Sequence, residues 1–98
     1  MKAELFNFKC WIDNANSEHL ESTLSQLLIS AEFNILGFVD HHFSPQGYTA
    51  LWLLAESHLA LHTYPEHSKS YIELTSCVLH KKESFQQALS SLFKCEEG

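Results

Sequence analysis

Positive charge is scarce in this chain: Lys and Arg total 6 against 12 for Asp and Glu, a formal net charge of −6. That balance repels phosphate backbones and removes the electrostatic basis of nucleic-acid binding, while favouring a cationic ligand. Cysteine pairing signals are missing too. Cys10, Cys77 and Cys95 are odd in number, widely spaced and in no C-x-x-C arrangement, which argues against a disulfide framework or zinc ribbon and predicts reduced thiols. The opening MKAELFNFKCW alternates and lacks the continuous apolar core of a signal peptide, and no segment approaches membrane-spanning length. A soluble, cytoplasmic protein without membrane or nucleic-acid partners is therefore expected. No repeat, low-complexity tract or linker divides the 98 residues. One domain over 1–98 is expected, with enough apolar content (45%) to bury a core.

The apolar pattern changes period along the chain. AELFNFKCW alternates and predicts a strand over residues 3–11, closed by the polar IDNANS. Leu20, Leu24, Leu27, Leu28 and Ala31 then recur at helical spacing after the capping candidates Asn16 and Ser17. NILGFVDHHF, YTALWLLAE, LALHTY and SYIELTSCV read as four more strands, reversed by Ser44-Pro45-Gln46-Gly47 and Pro65-Glu66-His67-Ser68. A second helix follows, with Phe85, Ala88, Leu89, Leu92 and Phe93 on one face. The order β-α-β-β-β-β-α predicts an α+β two-layer sandwich, an antiparallel sheet with both helices on one face. The open face and edges of such a sheet need cover, so a homodimer is expected.

Within LWLLAESHLALHTYPE the alternation is interrupted by Glu56-Ser57-His58, with His62 four residues beyond His58. A serine nucleophile of the elbow type requires G-x-S-x-G, and no glycine flanks Ser57. A metal site could draw on His58, His62, His41, His42, His67 and Cys77, but residues four apart on a strand are roughly 13 Å apart, too far to share one ion. No metal is expected. Singly, a serine between strands is most often a turn residue, a histidine on a sheet is hydrogen-bonded or solvated, and a buried cysteine acts as a small hydrophobe.

Taken together, HHFSPQGYTALWLLAESHLALHTYPE and YIELTSC, within residues 41–77, closely resemble the bacterial and archaeal S-adenosylmethionine decarboxylases, self-processing pyruvoyl enzymes of polyamine biosynthesis. The resemblance implies that the zymogen cuts itself between Glu56 and Ser57. The Ser57 hydroxyl would attack the Glu56 carbonyl to give an ester, and elimination would leave residues 1–56 and a second fragment headed by a pyruvoyl group made from Ser57. By the same resemblance His62 is the base for elimination and Thr49 helps stabilise the intermediate. Cys77 matches the proton donor to the decarboxylated carbanion, Glu66 the ligand of the ribose hydroxyls, and Phe43 the ring that stacks on adenine. The pyruvoyl ketone would form a Schiff base with S-adenosylmethionine, and the expected assembly is a homodimer of two-fragment protomers. Ser57 and His62 have opposite parity on an uninterrupted strand, so a tight turn or kink at Glu56-Ser57 would have to reset that parity.

Departures from the family are Tyr64 where Trp is usual among the substrate-binding positions, Ala50 for a usual Gly, a first strand without Gly-x-His, and no final strand after the second helix. They motivate two alternatives: a non-catalytic, unprocessed relative that binds a nucleoside or partner chain, and a pyruvoyl decarboxylase for a basic amino acid.

Overall fold

The computed structural model describes residues 4–97. The elements are β1 (Phe6–Ile12), α1 (Ser17–Ser30), β2 (Ile35–His42), β3 (Tyr48–Leu54), β4 (Ser57–Tyr64), a 3₁₀ turn (Pro65–His67), β5 (Lys69–Ser76), α2 (Leu79–Leu92) and β6 (Glu96–Glu97). Residue 3, the expected start of the first strand, lies outside the described residues.

All strand pairs are antiparallel and the sheet runs β2-β3-β4-β5-β1-β6. Alternation assigns the faces. Phe8, Cys10, Ile12, Ala50, Trp52, Leu54, Leu59, Leu61, Ile72 and Leu74 all point to one side and are buried. They meet Leu20, Leu24 and Leu28 of α1 and Phe85 and Leu89 of α2, so both helices cover one face as expected. The Trp52 indole N–H donates to Ser25 Oγ at 3.0 Å, which ties the middle of β3 to α1.

The ends of α1 have identifiable causes. The Asn16 side chain accepts from the His19 amide at 3.0 Å, one of the caps expected. At the other end Glu32 sits at φ +67°, with Glu32 N–H bonded to Ile29 O and Phe33 N–H to Leu28 O, both at 3.0 Å. This is a Schellman closure with Glu in the place glycine usually takes, held by the buried Phe33 ring.

Beyond α2 the structure adds what the sequence did not predict: Glu96 and Glu97 pair with Trp11 and Cys10 as β6, so a short strand follows the second helix. Two residues carry no periodicity from which a strand can be read. Among the described residues no helix covers the opposite face of the sheet. There Val39, Leu51 and Leu53 are 62%, 44% and 58% exposed, an apolar patch near the β2 edge.

Candidate active site

β3 and β4 are joined by the two-residue turn Ala55-Glu56, with Leu54 opposite Ser57 as the last pair. The Ala55 amide donates to Asn34 O at 3.1 Å. Glu56 adopts φ +58°, a left-handed conformation that costs a residue with a side chain about 1–2 kcal/mol. The bond between Glu56 and Ser57 is therefore flanked by a strained residue on one side and a strand on the other.

Ser57 opens β4 on the helix-covered side and is only 7% exposed. Its hydroxyl donates to Ser76 Oγ at 3.1 Å, because Ser76 is its register partner on β5. Cys77 follows at the exit of β5, and its thiol donates to Glu56 Oε2 at 3.5 Å. Partial burial, then the hydrogen bond and negative charge of Glu56, raise the Cys77 pKa above the ordinary thiol value. The thiol stays protonated at neutral pH. Glu56→Gln removes the charge that opposes thiolate, so in this variant Cys77 should be alkylated by iodoacetamide several-fold faster at pH 8. An unchanged rate, read by peptide mass, would mean Glu56 does not control the thiol.

A second group gathers at the other end of the hairpin. Thr49 and His62 are register partners on the open face, with Thr49 Oγ1 and His62 Nδ1 3.0 Å apart. If the hydroxyl donates, Nε2 carries the imidazole proton; if it accepts, Nε2 keeps its lone pair. Phe43, Gly47, Thr49, His62, Tyr64 and Glu66 line a cavity of about 320 Å³. Tyr64 is backed by Trp11, ring centroids 5.7 Å apart, and Phe43 meets the His41 ring edge-on at 4.6 Å. Beside it the buried Tyr48 donates to Asp40 at 2.7 Å; burial first and that bond second push the phenol pKa up.

The Phe43 loop closes through Phe43 N–H to Gly47 O at 2.8 Å, with Gly47 at φ +110°. A Cβ added there would find no neighbour nearer than 3.7 Å, so the demand for glycine is conformational and not steric. Gly47→Ala should lose about 1 kcal/mol of stability. A denaturation midpoint equal to that of the wild type would show that the loop relaxes instead.

The structure thus gathers the predicted residues into two groups. Glu56, Ser57 and Cys77 form one; Phe43, Thr49, His62, Tyr64 and Glu66 form the other. The tight turn expected at Glu56-Ser57 is present as Ala55-Glu56, but it does not bring Ser57 and His62 to one side. β4 pairs continuously with β3 from Ser57 to Thr63 without a bulge, and five residues is an odd number, so Ser57 faces the helices and His62 the open face. They stand roughly 16 Å apart along the strand at about 3.3 Å per residue. Sequence reasoning missed Ser76 and Trp11. Only the register of β5 against β4 and β1 reveals them. Among the described residues no group of three His, Cys, Asp or Glu side chains is placed to hold a metal ion, and no helix is long and apolar enough to cross a membrane.

A family profile described as S-adenosylmethionine decarboxylase matches residues 8–97. Curated relatives include an S-adenosylmethionine decarboxylase proenzyme of Prochlorococcus marinus, 40% identical over 58 residues that make up 59% of this chain and 46% of that protein. Another, from Geobacillus, is 33% identical over 69 residues, 69% of this chain and 56% of its own. A third, from Archaeoglobus fulgidus, is 33% identical over 63 residues, 64% and 56% of the two chains. The chain spans about half the length of the curated relatives it matches. Among solved structures, the adenosylmethionine decarboxylase of Aquifex aeolicus superposes with a TM-score of 0.81 at 19% identity, covering 99% of this chain and 86% of that one. At that identity the likeness bears on the fold.

Proposed function

Because the chain belongs to the S-adenosylmethionine decarboxylase family, we propose that it cuts itself between Glu56 and Ser57, converts Ser57 to a pyruvoyl group, and decarboxylates S-adenosylmethionine to the aminopropyl donor of spermidine synthesis in the cytoplasm. The observation that carries this is the pairing of a strained Glu56-Ser57 turn with the Cys77 thiol, 3.5 Å from the Glu56 carboxylate although 21 residues away in sequence.

Each residue has a task that its surroundings suit. Ser57 supplies the nucleophile, and the left-handed Glu56 raises the energy of the peptide bond's surroundings before cleavage, which lowers the cost of reaching the intermediate. The pyruvoyl group would take the place of Ser57 itself, next to Glu56, whose carboxylate the Cys77 thiol contacts at 3.5 Å. Such a group supplies an electrophilic ketone that draws electrons as CO2 leaves. Cys77, kept protonated, delivers a proton to the product carbon. Phe43 and Tyr64 offer aromatic faces to a nucleoside and a sulfonium, and Glu66 accepts from ribose hydroxyls. The cavity is of the size that small-molecule sites occupy.

On this reading a second chain bridges the separation of His62 from Ser57. A two-fold dimer presents equivalent surfaces, so the His62 group of one protomer can complete the Ser57 group of its partner, twice over. Val39, Leu51 and Leu53, exposed on the same open face as His62, supply apolar surface for a dimer. In it the partner's His62 group would approach the Ser57 backbone at the turn, since the Ser57 hydroxyl faces the helices.

Intact mass under denaturing conditions tests the proposal. Two fragments split between Glu56 and Ser57, the second reactive to carbonyl reagents, together with CO2 release from carboxyl-labelled S-adenosylmethionine, are expected. One chain that stays uncut through long incubation would support the unprocessed, nucleoside-binding relative instead. Cleavage with CO2 released only from a basic amino acid would overturn the substrate.

A further inference from the structure

The Ser57 hydroxyl lies in a buried hydrogen-bonded chain that no role so far explains. It donates to Ser76 Oγ at 3.1 Å; Ser76 Oγ lies 3.3 Å from Val78 O, to which it donates, and it accepts from the Val78 amide at 3.0 Å. Ser76 is fully buried, and the amide and carbonyl of Val78 hold its hydroxyl. Ser57 has no charged group among its own hydrogen-bond partners, and His62 is on the opposite face of the sheet.

We propose that Ser76 is the positioning residue that aims the Ser57 hydroxyl for attack on the Glu56 carbonyl. The inference rests on the self-cleavage proposed above. A serine side chain has three staggered rotamers, and a fixed acceptor selects one of them. Successive hydrogen bonds also polarise each other, so the Ser57–Ser76–Val78 chain places extra electron density on Ser57 Oγ. In the step it prepares, Ser57 Oγ bonds to the Glu56 carbonyl carbon, the Glu56–Ser57 C–N bond breaks, and the hydroxyl proton ends on the Ser57 nitrogen. The product is an ester with a free amine, and no oxidant or co-reactant enters. The register explains why Ser76 can do this: the dipeptides 56–57 and 76–77 face each other, one partner holding the hydroxyl and the other the carboxylate.

The test follows newly folded precursor by intact mass, with and without hydroxylamine, which cuts an ester and spares the peptide bond. His62→Ala should accumulate hydroxylamine-sensitive chain, since the ester forms and elimination stalls. Ser76→Ala should fold, by circular dichroism, yet form the ester about tenfold more slowly, the worth of one directed hydrogen bond. At times when the wild-type chain is already cut it should therefore still be mostly whole, with or without hydroxylamine. Ser76→Thr, which keeps the hydroxyl, should restore the rate. Should Ser76→Ala fail to fold, Ser76→Cys keeps the volume and weakens the acceptor, and slower ester formation there supports the role. Ester accumulation in Ser76→Ala, or a wild-type rate in Ser76→Ala or Ser76→Cys, would overturn it. A wild-type chain that never cleaves overturns the self-cleavage and this role together.

Discussion

Ser57→Ala is expected to yield one full-length chain with no measurable CO2 release from S-adenosylmethionine. Without the hydroxyl no ester can form, so the loss is complete, against enzymatic rate enhancements of at least about 10⁶. The fold should survive. Ser57 is buried with one side-chain partner, and losing that bond costs about 1 kcal/mol, a shift of about 4–8 °C in melting temperature for a domain of this size. Intact mass and a melting curve therefore separate lost chemistry from lost structure. Two fragments from this variant would end the assignment of Ser57 as the source of the pyruvoyl group.

Mixing Ser57→Ala chains with His62→Ala chains should restore activity that neither has alone. In a mixed dimer one site combines the intact Ser57 group of one chain with the intact His62 group of the other, while the second site lacks both. Random pairing puts half of the dimers in the mixed state, so about a quarter of the wild-type rate is expected. Native mass spectrometry confirms the mixed dimers. Their presence without activity would show that Ser57 and His62 work within one chain, and β4 would then have to bend from the regular course it follows here. Activity in His62→Ala alone would remove His62 from processing.

Much of the fold was legible because burial writes itself into sequence at two periods. The strand spacing of Phe8, Cys10 and Ile12 and the helical spacing of Leu20, Leu24 and Leu28 both mark faces that the structure buries. Asn16 was readable as a cap because its side chain serves its own helix. Local sequence could not show what register decides. Ser76 sits opposite Ser57 only because β5 aligns with β4 in one phase, and nothing near Ser76 in the chain records that. Glu32 and Glu56 hide two left-handed positions, since glycine, the usual sign, is absent from both. The turn at Glu56-Ser57 was expected to reset the parity of Ser57 and His62; it lies outside the ladder, and the regular pairing of β3 with β4 keeps the two on opposite faces.

The order of the strands sets a consequence for the proposed cut. Residues before it supply β1, α1, β2 and β3, and those after it supply β4, β5, α2 and β6. In the sheet β4 and β5 lie between β3 and β1, so the second fragment is clasped on both sides by the first. Severing the backbone would therefore not let the fragments drift apart: two full ladders, β3 to β4 and β5 to β1, remain between them. Reassembly after denaturation is another matter. What the newborn chain does as a first-order event, the cut protein must do as an encounter of two molecules, and its recovery should slow with dilution. Maturation would make the folded form a one-way destination, reached once per synthesis and poorly regained if lost.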